Sequence, residues 1–181
     1  MTEPAELAAE PGPYRYLSGA ADDAGAIDGA LYRQVMGQFL AGVTVITAME
    51  DGTPVGMAAS SFTSLSMDPP LVLFCPARSS STWARIAEAG HYAVNVLAAE
   101  HEPVSRAMSS KAPDKFTGLR WHTEVTGCPV LDDALGWIDC RTEHVYEGGD
   151  HLIVVGRVLA LGWRDGDPLG YHRGFYGRFV K

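Results

Sequence analysis

The chain reads as an antiparallel β-barrel with two or three short helices on its outside. Apolar residues recur at every second position in several runs rich in Val, Ile and Thr, the pattern of strands packed on a core. Tight-turn chemistry separates these runs, EDGTP after VTVITAM and EGGD before HLIVVGRV, so that most neighbours are joined as hairpins. Few stretches carry the i, i+3, i+4 repeat of a helix, and each is short.

Residues 1–27 are rich in Ala, Glu, Pro, Gly and Asp and have no regular apolar period. They are expected to form a loosely packed arm, with the folded domain spanning residues 28–181. Asp28 is placed to cap a helix through ALYRQVMGQFL, in which Leu31, Val35, Phe39 and Leu40 repeat at helical spacing ahead of a stop at Gly42. This helix is expected to lie on the core. Strands over 43–49 and 55–62 make a first hairpin, and LVLFC (71–75) is a strand beyond Pro69 and Pro70.

A helix follows over TWARIAEAG (82–90), with Trp83 and Ile86 on its core face and Gly90 as its stop. Next come a strand, HYAVNVL (91–97), and a helix around HEPVSRAMS. The polar loop KAPDKFTGLRW is expected to cover something. DCRTEHVY (139–146) and HLIVVGRVLALGW (151–163) form a long second hairpin, and a Gly- and Tyr-rich tail, GYHRGFYGRF, closes the chain. The total is about six or seven strands. Trp121, Trp137 and Trp163 are expected to cover apolar surface at barrel ends or an interface.

Composition narrows the function. The 181 residues are 46% hydrophobic and 20% charged, enough for a single domain with its own core. No run has the ~20 apolar residues of a membrane-spanning helix, and the first residues have neither a basic head nor an apolar region. No membrane association and a cytoplasmic location are expected. A net charge of −8 repels phosphate backbones at long range, so nucleic acid is not an expected partner. Cys75, Cys128 and Cys140 are odd in number and contain no C-x-x-C, so each is expected to be a buried thiol in a reducing compartment.

No G-x-G-x-x-G follows a strand, and neither G-x-x-x-x-G-K-[ST] nor G-x-S-x-G occurs. The six histidines include no H-E-x-x-H and no i, i+4 pair, and no metal is expected. Two hydroxyl clusters remain. In GMAASSFTSLSMDPP (56–70) a strand of small residues runs into Ser60, Ser61, Thr63, Ser64 and Ser66, and a backbone so thinly covered lets a planar ligand approach. The same residues also suit a plain Ser-rich turn ending at Pro-Pro. In RSSSTW (78–83), Arg78 and four hydroxyls stand at a helix start, the parts of an anion site; a plain helix cap by Ser80 or Ser81 is the commoner use of such a run. Together they lay out a mononucleotide site, with a ring-recognition strand and a phosphate-type helix start.

In unbroken order over roughly residues 30 to 180, FLAGVTVITA, GMAASSFTSLSMDPPLVLFC, RSSSTW, YAVNVL, GDHLIVVGRV and PLGYHRGFYGRF resemble the flavin reductase family. Its members are small reductase components of two-component flavin-dependent monooxygenases, built on the FMN-binding split barrel. The resemblance implies a mainly β, antiparallel split barrel with a few flanking short helices, usually a homodimer with flavin near the subunit interface. It implies an NAD(P)H:flavin oxidoreductase that reduces FMN or FAD with NADH or NADPH and supplies a separate monooxygenase.

Residue by residue, it implies that Ala59, Ser60, Ser61 and Phe62 contact the isoalloxazine, with Thr44 adding contacts. Ser79, Ser80, Ser81 and Thr82 would hold the phosphate end, with Arg78 nearby. Phe116 falls where family members cover the flavin. His151 of the GDH motif borders the nicotinamide as the candidate catalytic residue, and Tyr171, Arg173 and Tyr176 of the tail fall in the same region. Ser60 departs from the family, many of whose members have Asn there, and it loses an amide able to pair with the ring's polar edge. The absence of a nucleophile fits, because the cofactors carry the hydride chemistry. Two alternatives stand beside this reading: a split-barrel oxidase with tightly bound FMN, and a non-catalytic flavin-binding subunit.

Overall fold

The computed structural model describes residues 28–179, and the arm expected over residues 1–27 lies outside them. The chain divides into two compact units between Gln38 and Phe39. The first contains helix α1 (Gly29–Met36), capped by Asp28, whose carboxylate accepts from the Ala30 amide at 3.0 Å. It is shorter than its apolar repeat suggests. The amides of Gly37 and Gln38 turn back onto the carbonyls of Arg33 and Val35, ending the helix before Phe39 and Leu40. None of the residues of α1 is buried.

The second unit contains β1 (Ala41–Gly42), β2 (Thr44–Glu50), β3 (Thr53–Ala59), β4 (Thr63–Met67) and β5 (Pro70–Phe74). Helix α2 (Ser81–Ala89), strand β6 (His91–Val96) and helix α3 (Glu102–Ser109) follow. Then come β7 (Trp121–Thr123), β8 (Pro129–Leu131), β9 (Gly136–Gly148), β10 (His151–Trp163), β11 (Leu169–His172) and β12 (Phe175–Arg178). Seven strands form the principal sheet in the order β3-β2-β6-β9-β10-β5-β4, which accounts for the six or seven expected. The others are short pieces in which alternation has no room to show: a sheet β1-β11-β12 and a pair β7-β8.

Chain connectivity forces the principal sheet to curl. Strands β3 and β4 occupy its two edges, yet only Ser60, Ser61 and Phe62 separate them in sequence. Those links reach about 14 Å, whereas the edges of a flat sheet of this width would stand about 29 Å apart. The sheet therefore closes on itself as a split barrel. Register shifts between Val155 and Gly156 and between Val158 and Ala160 help bend the long β9–β10 hairpin. The strand expected over 55–62 stops at Ala59, and the hydroxyl-rich segment after it returns as β4 rather than staying a turn.

Alternation along β2 feeds two cores. Ile46 joins Phe74, Trp83, Ile86, Tyr92, Val94 and Val154, while Val45 joins Val43, Leu97, Met108, Leu131 and Leu169. Trp83 and Ile86 are the buried face of α2, as their spacing predicts. The barrel interior also holds a polar pin. Asn95 accepts from the Leu131 amide at 2.7 Å and donates to the Val45 carbonyl at 3.2 Å, fastening β8 to the sheet. Cys128 and Cys140 are buried and free, and burial pushes the Cys140 thiol up to about 12. Cys75 is only half-buried, so it does not follow the sequence reading, and Trp163 is 77% exposed at the end of β10. Both sit where a strand runs out past the core.

Candidate functional site

Two cavities flank β3, and the C-terminal end of α3 contributes to both. The first, about 230 Å³, is lined by Pro54, Val55 and Gly56, by Ser81, Thr82 and Arg85 of α2, and by the loop from Ser110 to Phe116. The second, about 210 Å³, is lined by Val43, Ala58, Ala59, Ser60, Ser105, Ser109, Tyr171 and Tyr176.

The first cavity has the chemistry of an anion site. Ser80 is the N-cap of α2, and its hydroxyl accepts from the Trp83 amide at 3.1 Å. Ser81 and Thr82 are the first two helical residues, so their amides have no acceptor within the helix and stand at its positive end. One turn on, Arg85 Nε donates to Glu50 Oε2 at 2.7 Å. That bond holds the Glu50 carboxyl below its usual range and raises Arg85. Lys115 Nζ donates to the carbonyls of Gly56 at 3.1 Å and Met108 at 3.0 Å. Burial lowers the Lys115 pKa, and repulsion from Arg85 lowers it further. With Lys111, three cationic side chains thus line one small cavity in a chain of net charge −8.

The second cavity is shaped for a flat group. Its strand wall, Ala58 to Ser60, has only small side chains, and opposite it stand Tyr171 and Tyr176, whose ring centroids are 5.1 Å apart. The Tyr176 hydroxyl lies 2.9 Å from that of Ser105, and the Arg106 guanidinium sits 4.9 Å from the centre of its ring.

The other residues singled out in the sequence are distributed differently. Thr44 is buried beside the second cavity, with its hydroxyl donating to the Ala59 carbonyl at 2.8 Å. The Ser61 hydroxyl accepts from the Cys75 amide at 2.9 Å, pinning the β3–β4 corner to the end of β5. Phe62 packs on the core, and Phe116 packs beneath its loop. Arg173, at φ 51°, and Gly174, at φ 87°, form the β11–β12 turn. Arg173 opens on a separate groove of about 850 Å³ that shares Tyr176.

His151 opens β10 and lines neither small cavity. Its Nδ1 lies 2.8 Å from Asp150 Oδ1, an interaction that lowers the Asp150 carboxyl. The turn that carries it is zipped onto the segment leading into α2. His151 bridges Ala77, the Arg78 amide donates to the Asp150 carbonyl at 3.0 Å, and Arg78 pairs with Glu147. One junction therefore holds both His151 and the turn containing Ser79.

Arg85, Lys111, Lys115, Ser105 and Ser109 are lining residues that the sequence reading missed. A signal existed for three of them. Lys111 and Lys115 lie in the polar covering loop, and Arg85 follows Ser81 by four residues, on the same helix face.

Hydroxyls and free helix amides meeting cationic side chains suit a phosphate, and the small-residue wall facing two tyrosines suits a planar ring. A split barrel with such a groove defines a flavin-handling oxidoreductase. The chain belongs to the flavin reductase family, whose Flavin reductase like domain matches residues 36–179, and it is an enzyme of that kind. It is 47% identical over 152 residues to the flavin-dependent monooxygenase reductase subunit HsaB of Rhodococcus jostii, covering 83% of this chain and 78% of that one. It is 42% identical over 150 residues to the FMN reductase (NADH) SmoA of Agrobacterium fabrum, covering 83% and 86%. Among solved structures, nitrilotriacetate monooxygenase component B from Mycobacterium thermoresistibile superposes with a TM-score of 0.83 at 44% identity, covering 87% and 89%.

Proposed function

We propose that the protein takes hydride from NADH into a flavin bound along β3 and passes the reduced flavin to a separate monooxygenase. The observation that carries this reading is the meeting of Ser81 and Thr82 with Arg85, Lys111 and Lys115 in one cavity. Ser81, Thr82, Arg85 and Lys111 receive the flavin phosphate, and Ala58 to Ser60 with Tyr171 and Tyr176 receive the ring. FMN is the flavin this cavity suits, because a single phosphate fills its cationic end; it is also the flavin named for SmoA.

Nicotinamide and flavin supply the hydride chemistry themselves when their rings stack about 3–3.5 Å apart. The chain binds, orients and excludes water. Thr44 and Ser61 act through the backbone, holding Ala59 and the β3–β4 corner in place. His151, oriented by Asp150, stands at the nicotinamide side. Two copies associate through apolar residues that the β9–β10 hairpin leaves exposed, among them Tyr146, Leu161 and Trp163. Three free cysteines fit a reducing cytoplasm, and no helix among the described residues is long and apolar enough to cross a membrane.

The test mixes purified protein with NADH and, in turn, FMN, FAD or no added flavin, and follows nicotinamide absorbance. Saturable turnover with FMN at the lower KM is the expected result. No turnover with either flavin, repeated with NADPH, overturns the reading. Sedimentation gives the oligomeric state, for which a dimer is expected and a monomer overturns the association.

A further inference from the structure

We propose that Lys115 is a positioning residue: its ammonium clamps the 110–120 loop onto β3 and the end of α3, and so sets the shape of the cationic cavity. The clamp joins two carbonyls that secondary structure leaves short of donors. Strand β3 is an edge of the principal sheet, and its Gly56 carbonyl accepts from Lys115 Nζ at 3.1 Å. Met108 lies in the last turn of α3, where carbonyls have no intrahelical amide, and it accepts from the same nitrogen at 3.0 Å. A cation at that helix end is also favoured by the helix dipole.

The landing site is matched to the loop. A Cβ on Gly56 would lie 3.2 Å from Phe116 Cζ and 3.0 Å from Met108 Sδ, so Phe116 settles where β3 has no side chain. Beyond it the loop turns on itself, with the Thr117 amide donating to the Asp114 carbonyl at 3.1 Å and the Leu119 amide to the Phe116 carbonyl at 3.0 Å. Lys111 is on the same loop and lines the same cavity, so its presentation depends on the Lys115 clamp. Burial of the ammonium is tolerated because two carbonyls receive it.

This inference rests on the proposed flavin site, and its test separates the two. Lys115→Met keeps the stem of the side chain and removes the donor. In flavin-free protein, hydrogen exchange at the Thr117 and Leu119 amides is expected to accelerate about tenfold or more. The KM for FMN is expected to rise by about tenfold and that for riboflavin, which has no phosphate for the cationic cavity, by about twofold or less, with kcat within about twofold. Lys115→Arg, which keeps charge and donors, restores both readouts. Lys115→Leu, which also has no donor, gives the same reading should the methionine variant not fold. Unchanged exchange overturns the clamp, and beside a raised KM for FMN it would make Lys115 a direct phosphate ligand. If the wild-type protein reduces no flavin, the proposed function falls while the exchange data still decide the clamp.

Discussion

The hydroxyls of Ser105 and Tyr176 meet at 2.9 Å, joining α3 to the C-terminal hairpin across the wall of the ring cavity. Ser105 is buried, so removing its partner strands a polar group. Tyr176→Phe should cost about 1–2 kcal/mol of stability and raise the KM for flavin, leaving kcat nearly unchanged. Thermal melts and steady-state kinetics check this; a loss of kcat without a KM change would place Tyr176 outside the flavin wall.

Gly156 lies against the buried phenol of Tyr92, and a Cβ there would stand 2.0 Å from Oη and 2.8 Å from Cζ. Gly156→Ala is therefore expected to destabilise the barrel by about 3 kcal/mol. Tyr92 Oη has no hydrogen-bond partner in the structure, so Tyr92→Phe alone should be neutral or stabilising. The double variant should recover at least about 1 kcal/mol of the glycine loss, which a denaturant-melt mutant cycle measures.

Adjacent hydroxyls at the start of α2 should separate by role. Ser80→Ala removes an N-cap bond and should cost about 1 kcal/mol, with flavin KM unchanged. Ser81→Ala combined with Thr82→Ala should do the opposite, weakening FMN by about tenfold while lumiflavin binding stays the same. Equal losses with both flavins would remove these residues from the phosphate site.

Acid should unfasten the protein at named carboxylates. Glu50 beside Arg85 and Glu143 beside Arg157 have pKa values lowered from 4.5, each first through a hydrogen bond from its arginine. A carboxyl depressed in the folded state adds stability that is fully present above the unfolded value. That stability is lost as pH falls below 4.5 through the folded pKa. Glu50→Gln and Glu143→Gln should each flatten the fall in melting temperature below that pH. Because these half-buried pairs still reach solvent, high salt should shrink the effect.

Much of the fold was legible because its signals are local. Strand β10 occupies the residues its alternation predicts, 151–163, and α2 stops at Gly90, whose φ of 69° favours a residue with no side chain. The misreadings are equally physical. The apolar spacing through Phe39 and Leu40 is genuine, but hydrogen bonds from Gly37 and Gln38 end the helix first. Thr63 to Met67 looks like a turn by composition, yet it pairs with β5 in a strand because the barrel needs an edge there.

The same division runs through the site. Residue order alone determined the alternating strands, the hairpins, the Ser80 cap and the family motifs, since φ/ψ preference and periodicity act within a few residues. Tertiary structure alone decided which hydroxyls are free. Thr44 and Ser61 bond backbone groups far away in sequence, while Ser81 and Thr82 line a cavity. It also brought Arg85, Lys111 and Lys115 together, because strand order and the landing of a loop on Gly56 are long-range facts that no local period encodes.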